Sequence, residues 1–348
     1  MREKDLSESL RHAKQIAVAE FGAETQRLLA NATVAIVGCG ALGALQAELL
    51  ARMGVGALRI ADADIVSLGN LHRQMLYTER DAEEGVPKVS AAAARLAALD
   101  SGLALHTVAE RITRHNIEAF AGEADLVLDA TDNTATRFLI NDFCVRSAQP
   151  WIYAGVAGTG GLVFPVLPQE GPCLRCLYPE PPAEDDAATC AANGILPTTV
   201  ALAVSLQVTQ AVRVLNRTAK PGTLIRLNAW DASVRTAAVR RDPACPCCGQ
   251  RRFDFLESEA AGEAPLAAPI CSQRLVRIES AFWGPGPFEA QVALDAAARR
   301  GAHAARKGLL WMITDGERRF SLFPDGHLLV HACTDAETAL AAARSLFL

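Results

Sequence analysis

Thr33-Val34-Ala35-Ile36-Val37-Gly38-Cys39-Gly40-Ala41-Leu42-Gly43 decides the fold. Five residues rich in β-branched side chains run straight into a glycine-rich turn. A helical stretch, Ala41 to Met53, follows and ends at Gly54-Val55-Gly56. A second apolar strand, Ala57 to Ala61, finishes at Asp62. Strand, glycine turn, helix, strand and acid make the opening of a nucleotide-binding α/β sheet. Glycines let backbone amides at a helix N-terminus approach phosphate oxygens. An acid at the end of the second strand can hold both ribose hydroxyls. NAD, FAD and ATP all fit this unit.

Outward from it, strands and helices alternate. Residues 7 to 30 read as a polar helical arm. After a long polar connection over 63–88, a helix is expected at about Val89–Leu99 and a strand at Leu103–Ala109. Further strands fall at Asp125–Ala130 and Trp151–Ala154, with a helix over Thr134–Ala148 between them. The fold class is therefore α/β, with a doubly wound, mostly parallel, Rossmann-like sheet. Strands at Leu162–Leu167, Leu224–Ala229 and Val234–Val239 extend it with antiparallel pairing. The domain reading is 1–250 for this unit, a linker over 251–270, and a small α+β unit over 271–348. That last unit carries strands near Leu275–Ile278, 308–313, 318–323 and Leu328–Val330, and helices near 289–300 and from Asp335.

Composition narrows the function. The 348 residues are 50% hydrophobic and 21% charged, enough for a large core. A net charge of -5 gives no support to nucleic-acid binding. The charged start, Met1-Arg2-Glu3-Lys4-Asp5, is not a signal peptide. The apolar stretch Ile195–Val214 is interrupted by Thr198, Gln207, Gln210 and Arg213, so it reads as a buried helix and no membrane partner is expected. Ten cysteines, four in paired knuckles, suit a reducing cytoplasm and a bound metal better than a disulfide framework.

Two features separate the nucleotide alternatives. The connection Asp62-Ala63-Asp64-Ile65-Val66-Ser67-Leu68-Gly69-Asn70-Leu71-His72-Arg73-Gln74, followed by Pro87-Lys88, returns cationic and amide donors to the strand ends. A dinucleotide needs no such set. A triphosphate does, because Arg73 and Lys88 offset its charge and that of departing pyrophosphate. Far downstream, Cys173-Leu174-Arg175-Cys176 is answered by Cys245-Pro246-Cys247-Cys248. Two Cys-x-x-Cys knuckles have the spacing of a closed, structural Zn²⁺ site built from Cys173, Cys176, Cys245 and Cys248. Cys247 could replace Cys248 by distance, but the knuckle spacing favours Cys248.

These motifs, with Ala130-Thr131-Asp132-Asn133, Arg137 and Thr189-Cys190, occur together in one order over roughly residues 7 to 250. In this the chain resembles the ThiF/MoeB/HesA family of sulphur-carrier adenylyltransferases, relatives of the ubiquitin-activating enzymes. The resemblance implies that ATP activates the C-terminal glycine carboxylate of a small ubiquitin-like carrier ending in Gly-Gly. It implies nucleotide contacts from Gly38, Gly40, Gly43, Asp62, Asp64, Asn70, Arg73, Gln74 and Lys88, with Asp132 holding Mg²⁺. Asp132 could instead be a helix N-cap. The resemblance also implies a homodimer, whose N-terminal arm usually supplies a second arginine to the partner's triphosphate. This chain has Arg11-His12-Ala13-Lys14-Gln15 there. Lys14 keeps the charge without the bidentate fork, or Arg11 replaces it. His12 is expected at the surface. Cys190 stands where some members form a covalent carrier adduct. No rhodanese-type loop is visible in 271–348. The alternatives are adenylation of a ribosomal peptide and a non-catalytic nucleotide-binding scaffold.

Overall fold

A computed structural model describes residues 11–181, 194–257, 266–269, 274–284 and 286–348. The chain divides into two compact units that do not follow sequence order. One comprises the described residues of Met1–Asp62, His72–Leu76 and Ala92–Gly262. The other comprises those of Ala63–Leu71, Tyr77–Ala91 and Glu263–Leu348. The sequence reading put its boundary at 251–270. Packing instead groups the connection after Asp62 with the C-terminal segment.

The elements in chain order are α1 (Gly22–Asn31), β1 (Thr33–Val37), α2 (Ala41–Met53), β2 (Ala57–Ala61), α3 (Glu79–Glu84), α4 (Lys88–Leu99), β3 (Ala104–Val108), α5 (Ile117–Ala121), β4 (Leu126–Asp129), α6 (Thr134–Arg146), β5 (Trp151–Ala157) and β6 (Gly160–Val166). There follow α7 (Leu174–Leu177), α8 (Pro197–Leu215), β7 (Thr223–Asn228), β8 (Ser233–Ala238), α9 (Asp254–Glu257), β9 (Ala267–Pro269) and β10 (Leu275–Ile278). The last are α10 (Ala290–Arg299), β11 (His303–Lys307), β12 (Leu310–Asp315), β13 (Arg318–Leu322), β14 (Leu328–His331) and α11 (Ala336–Phe347).

The first unit holds an eight-stranded sheet in the order β3-β2-β1-β4-β5-β6-β7-β8. Pairing is parallel from β3 through β5 and antiparallel from β5 to β8. The expected mixed sheet is the one observed. Strands β1 and β4 lie at its centre, and Val34 to Val37 and Leu126 to Asp129 are all buried. Continuous apolar runs are what a strand covered on both faces requires. Ala35, Val37 and Val127 pack into one cluster with Phe120, Phe138 and Phe143 from α5 and α6. Helix α8 packs against α2, β5 and β6.

Among the described residues, α8 is the one helix long and apolar enough to cross a membrane. Its polar side chains show why it is a core helix here. Buried Gln207 donates to the Asp129 and Ile152 carbonyls (3.1 and 2.9 Å) and accepts from buried Gln46 (2.6 Å). These hydrogen bonds tie the helix to β4 and β5.

The second unit holds a six-stranded antiparallel sheet, β11-β12-β13-β14-β10-β9. Phe320, Leu322, Leu328 and Ile278 pack there with Ala339, Ala343 and Phe347 of α11. The side chain of Asp335 caps α11 by accepting from the Thr338 amide.

Several expectations need correction. The arm is not one helix: residues 11–16 are helical, and α1 starts anew at Gly22, whose φ of +65° no continuing helix allows. His12 is buried, 7% exposed, against Gly54 at the end of α2. Helix α5 was not foreseen, since five residues are too few to show a helical period. The expected linker range contains α9, whose Leu256 joins the first core, and β9, which pairs with β10. The strand expected near 308–313 is β12, and β11 just before it was not foreseen. Every residue of β11 is exposed, so it carries no alternation to read.

Candidate functional site

In the first unit the carboxyl ends of β1, β2 and β4 lie side by side. The crevice beyond such strand ends is where open α/β sheets bind ligands. Gly38 leaves β1 with φ +96°, and its amide donates to the Ala61 carbonyl at 2.8 Å. A methyl at Gly38 would come 2.6 Å from the Ala130 carbonyl oxygen. One at Gly43 would come 2.0 Å from the Gly38 carbonyl oxygen. Neither position admits a side chain, so the turn brings α2 hard against the strand end. The first-turn amides of α2 have no partner within the helix and present a partial positive charge.

Asp62, at the end of β2, accepts from the Cys39 amide at 2.7 Å, so its carboxylate also pins the glycine turn. Gln74 is buried beside Gly40, and its Oε1 has no hydrogen-bond partner among the described residues. A buried polar atom left in this way suits a ligand donor. Arg73 is half-buried, with its guanidinium 3.5 Å from His72.

Asp132 is exposed on the loop after β4. That loop is fixed from both sides. Buried Asp129 accepts from the Thr131 amide and hydroxyl (2.9 and 2.7 Å), while Arg137 donates to the Thr131 carbonyl at 2.6 Å. Arg137 also pairs with Asp129 at 3.2 Å and lies over the Tyr153 ring. Burial pushes the Asp129 carboxyl up, and the Arg137 guanidinium opposes that shift. The capping alternative for Asp132 falls away. Asn133 is the N-cap of α6, accepting from the Thr136 amide at 2.9 Å. Asp132 thus stays exposed beside a loop fixed at Thr131, and a carboxylate there could serve a hard cation.

Of the arm residues, Arg11 pairs with Asp100 at 2.9 Å, and Lys14 is exposed. Cys190 lies outside the described residues.

In the second unit, Lys88 and Asp64 form a pair. Lys88 Nζ donates to Asp64 Oδ2 at 2.8 Å, and Lys88 is only 5% exposed. Asn70 of the same connection is buried, in a short 3₁₀ turn at Leu68–Asn70.

The four expected thiolates also converge. The Sγ atoms of Cys173, Cys176, Cys245 and Cys248 lie within 4.8 Å of one another. Cys173 and Cys245 are 3.6 Å apart, and Cys176 and Cys248 are 3.4 Å apart. A tetrahedron of sulphurs around Zn²⁺ has edges of about 3.8 Å, so the donor set fits that metal. Hydrogen bonds from Cys173 and Cys176 hold the Cys248 thiol well below the usual thiol range. Cys247 belongs elsewhere: Asn141 Nδ2 donates to its sulphur at 3.2 Å, and Asn141 Oδ1 accepts from the Leu174 amide. Buried Arg175 braces the first knuckle against Asp254 at 2.9 Å. Sequence reading missed Asn141, and no spacing rule could have found it.

The ThiF family profile matches residues 12–247. The chain belongs to the ThiF family. It is 34% identical over 340 residues to the sulfur carrier protein ThiS adenylyltransferase of Bacillus subtilis (strain 168), covering 97% of this chain and 98% of that protein. The sulfur carrier protein adenylyltransferase of Thermus thermophilus is 37% identical over 246 residues, 69% of this chain and 90% of that one. The adenylyltransferase and sulfurtransferase MOCS3 of Anopheles gambiae is 33% identical over 246 residues, and the match spans about half of it (55%). Like these ThiF relatives, the chain is an adenylyltransferase. A crystal structure of Escherichia coli MccB has the same fold, with a TM-score of 0.59 at 22% identity over 72% of this chain and 81% of that one.

Proposed function

We propose that this chain adenylates the C-terminal glycine carboxylate of a small ubiquitin-like sulphur-carrier protein, of the ThiS or MoaD kind, ending in Gly-Gly. The observation that carries the reading is the 34% identity to a ThiS adenylyltransferase along 97% of the chain. The glycine turn at the end of β1 supports the reading.

ATP is the nucleotide. The amides at Gly40 and Gly43 approach its phosphates, Gly38 lets the backbone lie close beside them, and Asp62 accepts from its ribose hydroxyls. Asn70, Arg73, Lys88 and the side-chain N–H of Gln74 are assigned to phosphate oxygens, with Asp64 orienting Lys88; the Gln74 oxygen is left for a donor on the nucleotide. Asp132 would hold Mg²⁺, which when bound offsets phosphate charge. The carrier carboxylate oxygen attacks the α-phosphorus. The new oxygen–phosphorus bond forms as the bond to the β-phosphate oxygen breaks, giving an acyl-adenylate and pyrophosphate. Arg73 and Lys88 stabilise the charge that builds on the leaving group. Zn²⁺ in the cysteine clamp is structural, because four thiolates leave no open position. The protein acts in the cytoplasm as a homodimer, with exposed Lys14 as the cation of the arm, since Arg11 is engaged by Asp100. Cys190 is assigned a covalent role with the carrier after adenylation.

ATP–pyrophosphate exchange tests the proposal. Exchange should require a carrier with an intact Gly-Gly tail. Asp132→Ala should lower it by about 10²-fold or more, while circular dichroism shows an unchanged fold. Exchange independent of any carrier, or undiminished in Asp132→Ala, would remove the reading.

A further inference from the structure

The family match stops at residue 247. Two buried residues beyond it reach the connection that carries Lys88. Both belong to the same compact unit as that connection. Arg277, in the middle of β10 and 7% exposed, donates from Nη2 to the Ala63 carbonyl at 2.7 Å and pairs with Asp64 Oδ1 at 3.2 Å. His327, 2% exposed in the turn before β14, places Nε2 2.8 Å from the same carbonyl. Its ring stacks on Phe323 at 3.8 Å, and its Nδ1 meets Asp325 at 2.6 Å. The imidazole is therefore fixed at both ends and on one face.

What these residues grip is a clip. Ile65 bridges Pro87, the Val66 amide donates to the Val86 carbonyl at 2.8 Å, and the Lys88 amide donates to the Asp64 carbonyl at 2.9 Å. Asp64 thus holds Lys88 twice, by its backbone and by its carboxylate. Arg277 takes the other oxygen of that carboxylate. A long, flexible ammonium side chain is directed only as well as its partner is fixed. Two buried donors on Ala63, one of them also on Asp64, fix that partner.

We propose that the C-terminal segment is a positioning device for Lys88, working through Arg277, His327 and the Ala63–Asp64 clip. This rests on the nucleotide role assigned to Lys88 above. Arg277 and His327 touch no substrate in this scheme. They set where the Lys88 ammonium stands when the triphosphate binds.

The test uses the full-length chain and two readouts. The first is the rate of reductive methylation at Lys88, read by mass spectrometry, which needs no activity. Arg277→Met and His327→Phe should each raise it several-fold; the second variant keeps an aromatic ring beside Phe323 and removes both polar nitrogens. The second readout is the rate of carrier-dependent ATP–pyrophosphate exchange. Each variant should lower its kcat by about tenfold, with Arg277→Lys intermediate. In a Lys88→Met background neither should cost anything further, because each acts through the missing ammonium. Unchanged Lys88 methylation would overturn the proposal. So would an exchange defect that persists undiminished in the Lys88→Met background, which a merely structural role gives. If the wild-type chain shows no carrier-dependent exchange, the adenylation reading fails instead, and Lys88 methylation alone decides the positioning.

Discussion

Gly43 shows how little freedom single residues have at this site. Its α-carbon faces the Gly38 carbonyl so closely that an added methyl would lie 2.0 Å from that oxygen. The obstacle is backbone at the start of a buried sheet–helix junction, so no side chain can swing away. Gly43→Ala must push α2 off the strand end, at a cost of about 1–3 kcal/mol. A lower thermal midpoint and loss of fluorescent ATP-analogue binding are expected, with metal content unchanged. Wild-type nucleotide affinity in Gly43→Ala would mean that the turn does not hold phosphate. Asp129 and Arg137 work at the same scale. They fix the backbone at Thr131, next to Asp132. Much of this was legible in the sequence as residue types: the glycines, Asp62 and Asp132 sit at the strand ends that the reading gave them. The Asn133 cap was not, because three successive residues there can all cap a helix and only the backbone chooses.

At the scale of elements, β13 and β14 carry a titratable group with a readable consequence. His331 ends β14, its Nε2 2.8 Å from the Ser321 hydroxyl. Burial, with the Arg319 charge adding, pushes its pKa down from 6.5 to about 4. The unfolded chain therefore takes up the proton first as pH falls. Stability associated with His331 is fully present above about pH 6.5 and is lost as pH falls through about 4. The loss is at most about 3 kcal/mol. Denaturant titrations of the full-length chain from pH 7.5 to 4.5 should show it, and His331→Gln should flatten the dependence in that window. An equally steep dependence in His331→Gln would assign it to other groups. Elements with strong periods, such as α2, β1 and β2, were placed to the residue by the sequence. Exposed β11 and five-residue α5 were not, since neither has a face long enough to repeat.

At the scale of the whole molecule, the cysteine clamp joins positions 72 residues apart. It closes a long loop that includes the core helix α8 and strands β7 and β8. Zn²⁺ in this clamp would contribute several kcal/mol to folding. Chelation, or Cys245→Ser, should lower the calorimetric midpoint by roughly 10 °C or more and reduce metal content from one Zn²⁺ per chain toward none. Cys247→Ser should keep the metal, because that sulphur belongs to Asn141. An identical midpoint with and without metal would deny the clamp a structural role.

The sequence by itself determined the parallel core, the antiparallel extension, the four cysteines that converge and the membership in the ThiF family. Each of these is written in local patterns: short apolar runs, glycines at one turn, and cysteines separated by two residues. Tertiary structure alone decided that residues 63–71 and 77–91 belong with the C-terminal segment, that Arg277 and His327 grip Ala63, and that His12 is buried. Those are contacts between residues up to 264 positions apart. A buried Arg in a short strand looks in sequence like any surface cation. Only packing shows which carbonyl and which carboxylate compensate its desolvation.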